Sequence, residues 1–272
     1  MGVLRAPWKR CYRNNINYSG CIDYFTDMSP HSWDGVTERY DLKNPLKRLW
    51  SRDEVWVELF DEHLPGCKKI LDVGCGAGAI CLPLSMKGYE VYALDLSDKM
   101  VHLARKRANE LKTSVNLLIC DSHNLPAKDN SFDATICKFA LWPLKDVERG
   151  IKEMIRVTKR NGKIVVVEVD RTDNSRYKSG VRWRIKYHVC KMLSFLTRER
   201  SRKHRNAWNA IKEAVKGNPK INSEYLSDLM EKNGCMIYHV DKRVKEKTTG
   251  ILGRFCNLMP PYFLMAGEKY IK

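Results

Sequence analysis

The stretch Lys68 to Ser97, KKILDVGCGAGAICLPLSMKGYEVYALDLS, constrains this chain more than any other, because it spells strand, glycine turn, helix and second strand in about thirty residues. Ile70, Leu71 and Val73 form a short apolar run suited to a strand covered on both faces. The run stops at Gly74-Cys75-Gly76-Ala77-Gly78, where missing side chains let a ligand approach the backbone and let the chain turn sharply into a helix. A second apolar run, Tyr89 to Leu94, ends in Asp95, 21 positions beyond Gly74. At that spacing a carboxylate at the tip of the second strand reaches the hydroxyls of a ribose. The turn also satisfies the dinucleotide pattern G-x-G-x-x-A through Gly74, Gly76 and Ala79, so the glycines point to a nucleoside-type ligand without naming it.

Further motifs follow in order. Leu118 to Pro126 reads as a third strand ending in an acid, LICDSHNLP; Ser131 to Lys138 reads SFDATICK; and Ile155 to Glu168 reads IRVTKRNGKIVVVE. With LDVGCGAG and ALDLS before them, these segments resemble the class I S-adenosylmethionine-dependent methyltransferases, in particular the ubiquinone and menaquinone biosynthesis methyltransferases, over about residues 68 to 170. The resemblance implies an α/β, Rossmann-like, seven-stranded sheet, mostly parallel, with an antiparallel C-terminal hairpin whose last strand inserts between its neighbours. It also implies S-adenosylmethionine as cofactor. Gly74, Cys75 and Gly76 would contact its methionine part through backbone, Asp72 would orient that loop, and Asp95 would take the ribose hydroxyls with Leu96 against the adenine. Asp121 would accept from the adenine amino group while Ser122 supplies a backbone donor, and Lys138 would contribute a backbone carbonyl near the methionine ammonium, its side chain having no implied role.

Elsewhere the text divides into an N-terminal arm and lid (1–50), the cofactor-binding core (51–170), a basic helical cap (171–222) and a C-terminal helix and hairpin that complete the sheet (223–272). The segment SWDGVTERYD makes Trp33, Tyr40 and Asp41 lid residues by the same resemblance. Ser51-x-x-Glu54 is spelled as a capping box, Ser97 as the N-cap of a helix to about Leu111, and Asp146 to Lys159 as a helix facing inward through Val147, Ile151, Met154 and Ile155. Alternation of strands with such helices argues a parallel sheet with helices on both faces. Pro83 falls inside the helix after the glycine turn.

Of the formal charge of +17, the stretch 181–220 carries twelve Lys or Arg against Glu199 and Glu213. Such a patch attracts an anionic acceptor, an acidic protein or nucleic acid, or else only keeps a helix face solvated. With Trp142, Trp183, Tyr187 and Phe195 it would build an acceptor pocket of rings and cations. Tyr40, Glu168, Asp170 and His188 are the weak candidates for a general base; His123, beside the adenine-binding acid, is less suited to touch an acceptor. The ten cysteines lack C-x-x-C spacing, so no metal site is expected and reduced thiols in a cytoplasmic protein are. The N-terminus lacks the apolar stretch of a secretory signal, and no run of about 18 apolar residues could span a bilayer.

Three functions fit: methyl transfer to a small molecule, methyl transfer to a protein side chain or RNA gripped by the cap, and a cofactor-binding adaptor without catalysis. A dehydrogenase on the G-x-G-x-x-A reading is the further alternative.

Overall fold

In the computed structural model the described residues are 33, 36, 51–171, 185, 188, 189, 192, 202–256 and 260–270. Most of the expected arm, Tyr40, Asp41, Trp183, Tyr187, Phe195 and half of the expected cap lie outside them.

Seven strands form one sheet: β1 (Lys69–Val73), β2 (Glu90–Asp95), β3 (Asn116–Ile119), β4 (Phe132–Lys138), β5 (Thr158–Val169), β6 (Cys235–Asp241) and β7 (Tyr262–Lys269). Their order is β3-β2-β1-β4-β5-β7-β6, with β7 antiparallel to both neighbours and the other pairs parallel. The late strand therefore inserts between β5 and β6, as expected. Sequence order reverses between β1 and β4, which places a crevice beyond the carboxyl ends of those two strands.

Alternating side chains divide the core into two layers. Leu71 and Val73 of β1, Ile164 and Val166 of β5, and Phe263 and Met265 of β7 pack on one face with helices α4 (Val147–Val157), α5 (Arg202–Ala214) and α6 (Ser223–Lys232). Ile70, Val165, Val167, Leu264 and Ala266 pack on the other with α1 (Asp53–Asp61), α2 (Cys81–Met86) and α7 (Val244–Thr248). This period of two is what strands covered on both sides require. Helix α3 (Asp98–Glu110) contributes Met100 to the first layer and Ala108 to the second, and α8 (Ile251–Cys256) follows α7.

Three helix starts carry side-chain caps. The Ser97 hydroxyl accepts from Met100 N at 3.2 Å, Asp146 from Arg149 N at 2.9 Å, and Asn222 from Tyr225 N at 2.7 Å. The capping box expected at Ser51 does not form: α1 begins at Asp53 without a side-chain cap, and Ser51 Oγ donates to the Asp53 carboxylate instead. The cause is tertiary, since Ser51 bridges to Thr249 and Arg52 N donates to Thr248 O. Pro83 is harmless because it is the third residue of α2, within the first turn, where backbone N–H groups lack helical partners.

Two polar brackets hold the framework of the sheet in register. The Asp133 carboxylate accepts from Lys68 N and Lys69 N at 2.9 and 2.8 Å and pairs with Lys159, clamping the start of β1 to β4. Arg156 donates to Ala127 O, Leu125 O and the Glu153 carboxylate, while Glu153 accepts from Leu125 N, which fixes the loop after β3 against α4. Among the described residues, no helix is long and apolar enough to cross a membrane.

Candidate functional site

A cavity of about 220 Å³ opens where the carboxyl ends of β1, β2, β3 and β4 converge. Asp72, Gly74, Cys75, Gly76, Asp95, Leu96, Asp121, Ser122 and Lys138, the nine residues singled out for the cofactor, all line it. Trp33 lines it too, edge-on to Trp142 with ring centroids 5.8 Å apart, and Ala214 and Asn218 reach it from the end of α5 and the turn beyond.

The glycine turn is built around spent backbone donors. Gly74 N and Cys75 N both donate to Leu94 O, at 2.8 and 2.9 Å; Gly76 N donates to Asp95 Oδ2 at 2.8 Å; and Gly78 N closes back on Cys75 O at 3.0 Å. The turn takes φ of +75° at Gly74 and +53° at Gly76, values side-chain-bearing residues avoid. At Gly74 there is also no room, since a Cβ would sit 2.2 Å from Ala140 Cβ. At Gly76 nothing lies within 4 Å of that position, so the open side faces the cavity side of the loop. Buried Arg107 supports the loop from behind, donating to Ala77 O at 2.8 Å.

Asp95 joins the second strand to this loop. Its Oδ2 receives Gly76 N–H and its Oδ1 receives Ser97 N–H at 2.9 Å, and the carboxylate lines the cavity. Asp121, beyond β3, is held by His123: its Oδ1 accepts the backbone N–H at 2.9 Å and meets the ring Nδ1 at 2.7 Å. Burial pushes the Asp121 carboxyl up, but these His123 bonds outweigh it and hold the group below the usual carboxylate range. Arg149 donates to His123 O at 2.9 Å and completes the support.

Asp72 is buried, its Oδ2 has no hydrogen-bond partner, and burial raises its pKa to about 7 against the opposing pull of Lys138. The Lys138 ammonium stands 4.8 Å from the Trp56 ring centroid and 5.7 Å from that of Phe139. The Cys75 thiol is hydrogen-bonded with Cys81 and buried, which raises its pKa well above that of a free thiol and keeps it a protonated space-filler.

The candidate bases stand apart from the cavity. Glu168 is fully buried: its Oε2 accepts from Leu141 N and Trp142 N, both at 3.1 Å, and its Oε1 from Val169 N at 2.7 Å. It is a strap that ties the loop after β4 to β5, which corrects the base assigned from sequence. Asp170, just past β5, donates its backbone N–H to Pro261 O, and His188 is exposed; neither lines the cavity, and Tyr40 lies outside the described residues. What sequence reasoning passed over is the supporting set: Arg107 under the loop, His123 on Asp121, and the Lys138 side chain. Only His123 had a signal, being two residues from the strand-end acid with a side chain able to hydrogen-bond backward.

Among the described residues no group of three or more His, Cys, Asp or Glu could hold a metal ion. Cys67, Cys75, Cys81, Cys120, Cys137 and Cys235 are free thiols.

Comparison with known proteins agrees with the geometry. The family described as "Methyltransferase domain" matches residues 71–166. A demethylmenaquinone methyltransferase of Thermotoga maritima is 34% identical over 151 residues, 53% of this chain and 63% of that protein. One from Streptomyces avermitilis is 33% identical over 148 residues, 52% of this chain and 62% of the other. The match thus spans a little over three fifths of the length of these curated relatives. Among solved structures, the [4+2]-cyclase SpnF superposes with a TM-score of 0.57 at 20% identity, covering 81% of each chain, which speaks for the fold alone. Residues 71–166 are therefore similar to the methyltransferase domain family, and the described residues share the seven-stranded, Rossmann-like fold of solved S-adenosylmethionine-dependent methyltransferases.

Proposed function

We propose that this chain is an S-adenosylmethionine-dependent methyltransferase that transfers a methyl group to a small-molecule acceptor by in-line displacement. The observation that carries the reading is the convergence of the glycine turn, Asp95 and Asp121 on one cavity, with Asp95 hydrogen-bonded to the turn itself.

The residues present fit the cofactor. Asp72 has a buried oxygen without a partner, Gly76 leaves open the volume a Cβ would fill, and two acids stand where a ribose and an exocyclic amine need acceptors. When bound, S-adenosylmethionine supplies a methyl group already activated on a sulfonium, so the protein's task is orientation. Asp95 would hold the ribose hydroxyls, Asp121 the adenine amino group, and Leu96, Ile80 and Met100 would exclude water around them. The spent amides of Gly74, Cys75 and Gly76 argue against a dinucleotide, because a pyrophosphate needs free backbone donors at this turn.

A concave site suits a small molecule better than a polymer, and its rim, with Trp33, Pro143, Leu144 and Lys145, combines rings, apolar surface and a cation. Behind Trp33, outside the cavity wall, Trp142 packs edge-on to Trp208 at 6.1 Å, and the Arg171 guanidinium stands 4.3 Å from the Trp142 ring centroid. These features support an acceptor with an apolar or aromatic body and an anionic group. The relatives named above bear the name demethylmenaquinone methyltransferase, and a ring acceptor of that general kind is compatible with this rim. We also place the protein in the cytoplasm, a reducing compartment in which its buried cysteines persist as thiols.

The test is incubation with radiolabelled S-adenosylmethionine and fractionated cell extract. Label in small molecules is the expected result; label confined to protein or RNA replaces the acceptor class, and saturable S-adenosylhomocysteine binding without any transfer makes the protein an adaptor.

A further inference from the structure

The cavity has a polar end at the glycine turn, where four of the turn's backbone amides are already committed. A zwitterionic amino-acid tail brings a carboxylate and an ammonium, and neither can enter a largely apolar site unpaired. Carbonyl oxygens of the turn can accept from an ammonium. Donors for the carboxylate are another matter: Gly74 N and Cys75 N are committed to Leu94 O, Gly76 N to Asp95, and Gly78 N to Cys75 O.

The side chain next to the turn supplies what the amides lack. In the β1–β4 register Val73 pairs with Cys137, so Lys138 stands at the level of Gly74, where β1 gives way to the loop. Both residues line the cavity. Of the lysines on its wall among the described residues, Lys145 belongs to the exposed segment after Pro143, whereas Lys138 is half-buried at the strand end. Its ammonium is held over the faces of Trp56 and Phe139, 4.8 and 5.7 Å from the ring centroids, within the range of a favourable cation–π contact. It also acts on Asp72, drawing the carboxyl of that buried residue down against the effect of burial.

We propose that the Lys138 side chain is a cofactor-binding group, its ammonium pairing with the carboxylate of the cofactor's amino-acid tail while the loop carbonyls receive the tail's ammonium. This rests on the S-adenosylmethionine reading above and deepens it, giving a function to a side chain for which the sequence resemblance implied none. Trp56 and Phe139 are then positioning residues that keep the ammonium from swinging to solvent.

The experiment is calorimetric titration of the full chain and of its Lys138→Met and Lys138→Arg variants with three probes: S-adenosylhomocysteine, its analogue lacking only the carboxylate, and 5′-methylthioadenosine. Lys138→Met is expected to bind S-adenosylhomocysteine about tenfold to a hundredfold more weakly, the range of a lost charge-assisted hydrogen bond, while its affinity for the other two probes stays within about twofold of the parent. Lys138→Arg recovers part of the loss. Retained binding of the carboxylate-free probe also certifies that the methionine variant is folded. If S-adenosylhomocysteine binds Lys138→Met as tightly as the parent, or if all three probes weaken together, Lys138 does not read the carboxylate and the proposal falls while the cofactor reading stands. If the parent chain binds none of the probes, both fall.

Discussion

Asp95 is the residue at which the proposed function is most exposed to test. In the proposed reading it carries two jobs on one carboxylate, holding Gly76 N–H and Ser97 N–H at 2.8 and 2.9 Å and facing the ligand from the cavity wall. Replacing it with Ala removes both. The two backbone donors are only partly buried, so water can take over the lost bonds, and the cost to folding should be near 1 kcal/mol, a shift of a few degrees in Tm. A ligand hydroxyl inside the cavity has no such substitute. A hydrogen bond to a charged group is worth about 1.5 to 3 kcal/mol, which predicts S-adenosylhomocysteine binding roughly 10- to 150-fold weaker in Asp95→Ala.

Titration calorimetry with S-adenosylhomocysteine and its 2′-deoxy analogue separates the two jobs through a double-mutant cycle. In the parent chain, loss of the 2′-hydroxyl should weaken binding; in Asp95→Ala the two ligands should bind alike. Additive losses, with the hydroxyl counting equally in both proteins, would place the ribose elsewhere and refute the reasoning. Affinity within about threefold of the parent would do the same. Asp95→Asn sharpens the reading, because one amide oxygen can serve Gly76 or Ser97 but not both, and its NH₂ then opposes the other backbone donor.

Three further outcomes are expected. Glu168 and Asp72 have pKa values near 7 because burial penalises their charged forms, so the folded chain holds protons that the unfolded chain releases near pH 4 to 4.5. Stability therefore falls as pH rises through that window to about 7 and levels off above it, the Glu168 share being roughly 3 kcal/mol. Glu168→Gln, which keeps the shape without the titration, should shrink the difference in urea midpoint between pH 5 and pH 8; an unchanged difference refutes the assignment. Gly74→Ala forces φ of +75° on a side-chain-bearing residue and drives its Cβ to 2.2 Å from Ala140 Cβ, so it should cost about 2 kcal/mol or more and distort the cavity floor; thermal melting within a degree of the parent would contradict this. Asp133→Ala, remote from the cavity wall, should lower stability by about 1 to 3 kcal/mol through the freed Lys68 and Lys69 amides while leaving S-adenosylhomocysteine affinity unaltered, and a proportionate loss of affinity would show that the bracket shapes the site.

Most of the sheet was legible because its inner strands are short apolar runs set between glycine turns and capped helices, as β1 at Lys69–Val73 and β2 at Glu90–Asp95 are. The nine residues singled out for the cofactor converge on one cavity because a doubly wound sheet brings successive strand ends to one crevice, whatever the loops between them. Two features escaped for a common reason: each depends on a partner distant in sequence. Ser51 reads as a cap until Thr248 and Thr249 draw its neighbourhood into a bridge, and Glu168 reads as a base until Leu141 and Trp142 supply the amides that occupy it. Helices α7 and α8, of five and six residues, are too short for a helical period to declare itself.

The loop after β1 shows how a shared glycine pattern can serve different ligands. Gly74 and Gly76 meet the letter of the dinucleotide fingerprint, yet selectivity lies in where the amides point, and here Leu94 O and Asp95 claim those of Gly74, Cys75 and Gly76. The residue ending the second strand thus decides the matter twice: its backbone neighbour absorbs two donors, and its carboxylate absorbs a third while facing the cavity. A loop closed in this way repels phosphate oxygens by offering them carbonyls, and suits a cationic, phosphate-free nucleoside. Competition calorimetry checks the inference directly, because NAD should fail to displace S-adenosylhomocysteine even at a large molar excess, and displacement at comparable concentration would mean that the loop rearranges and its amides are not committed.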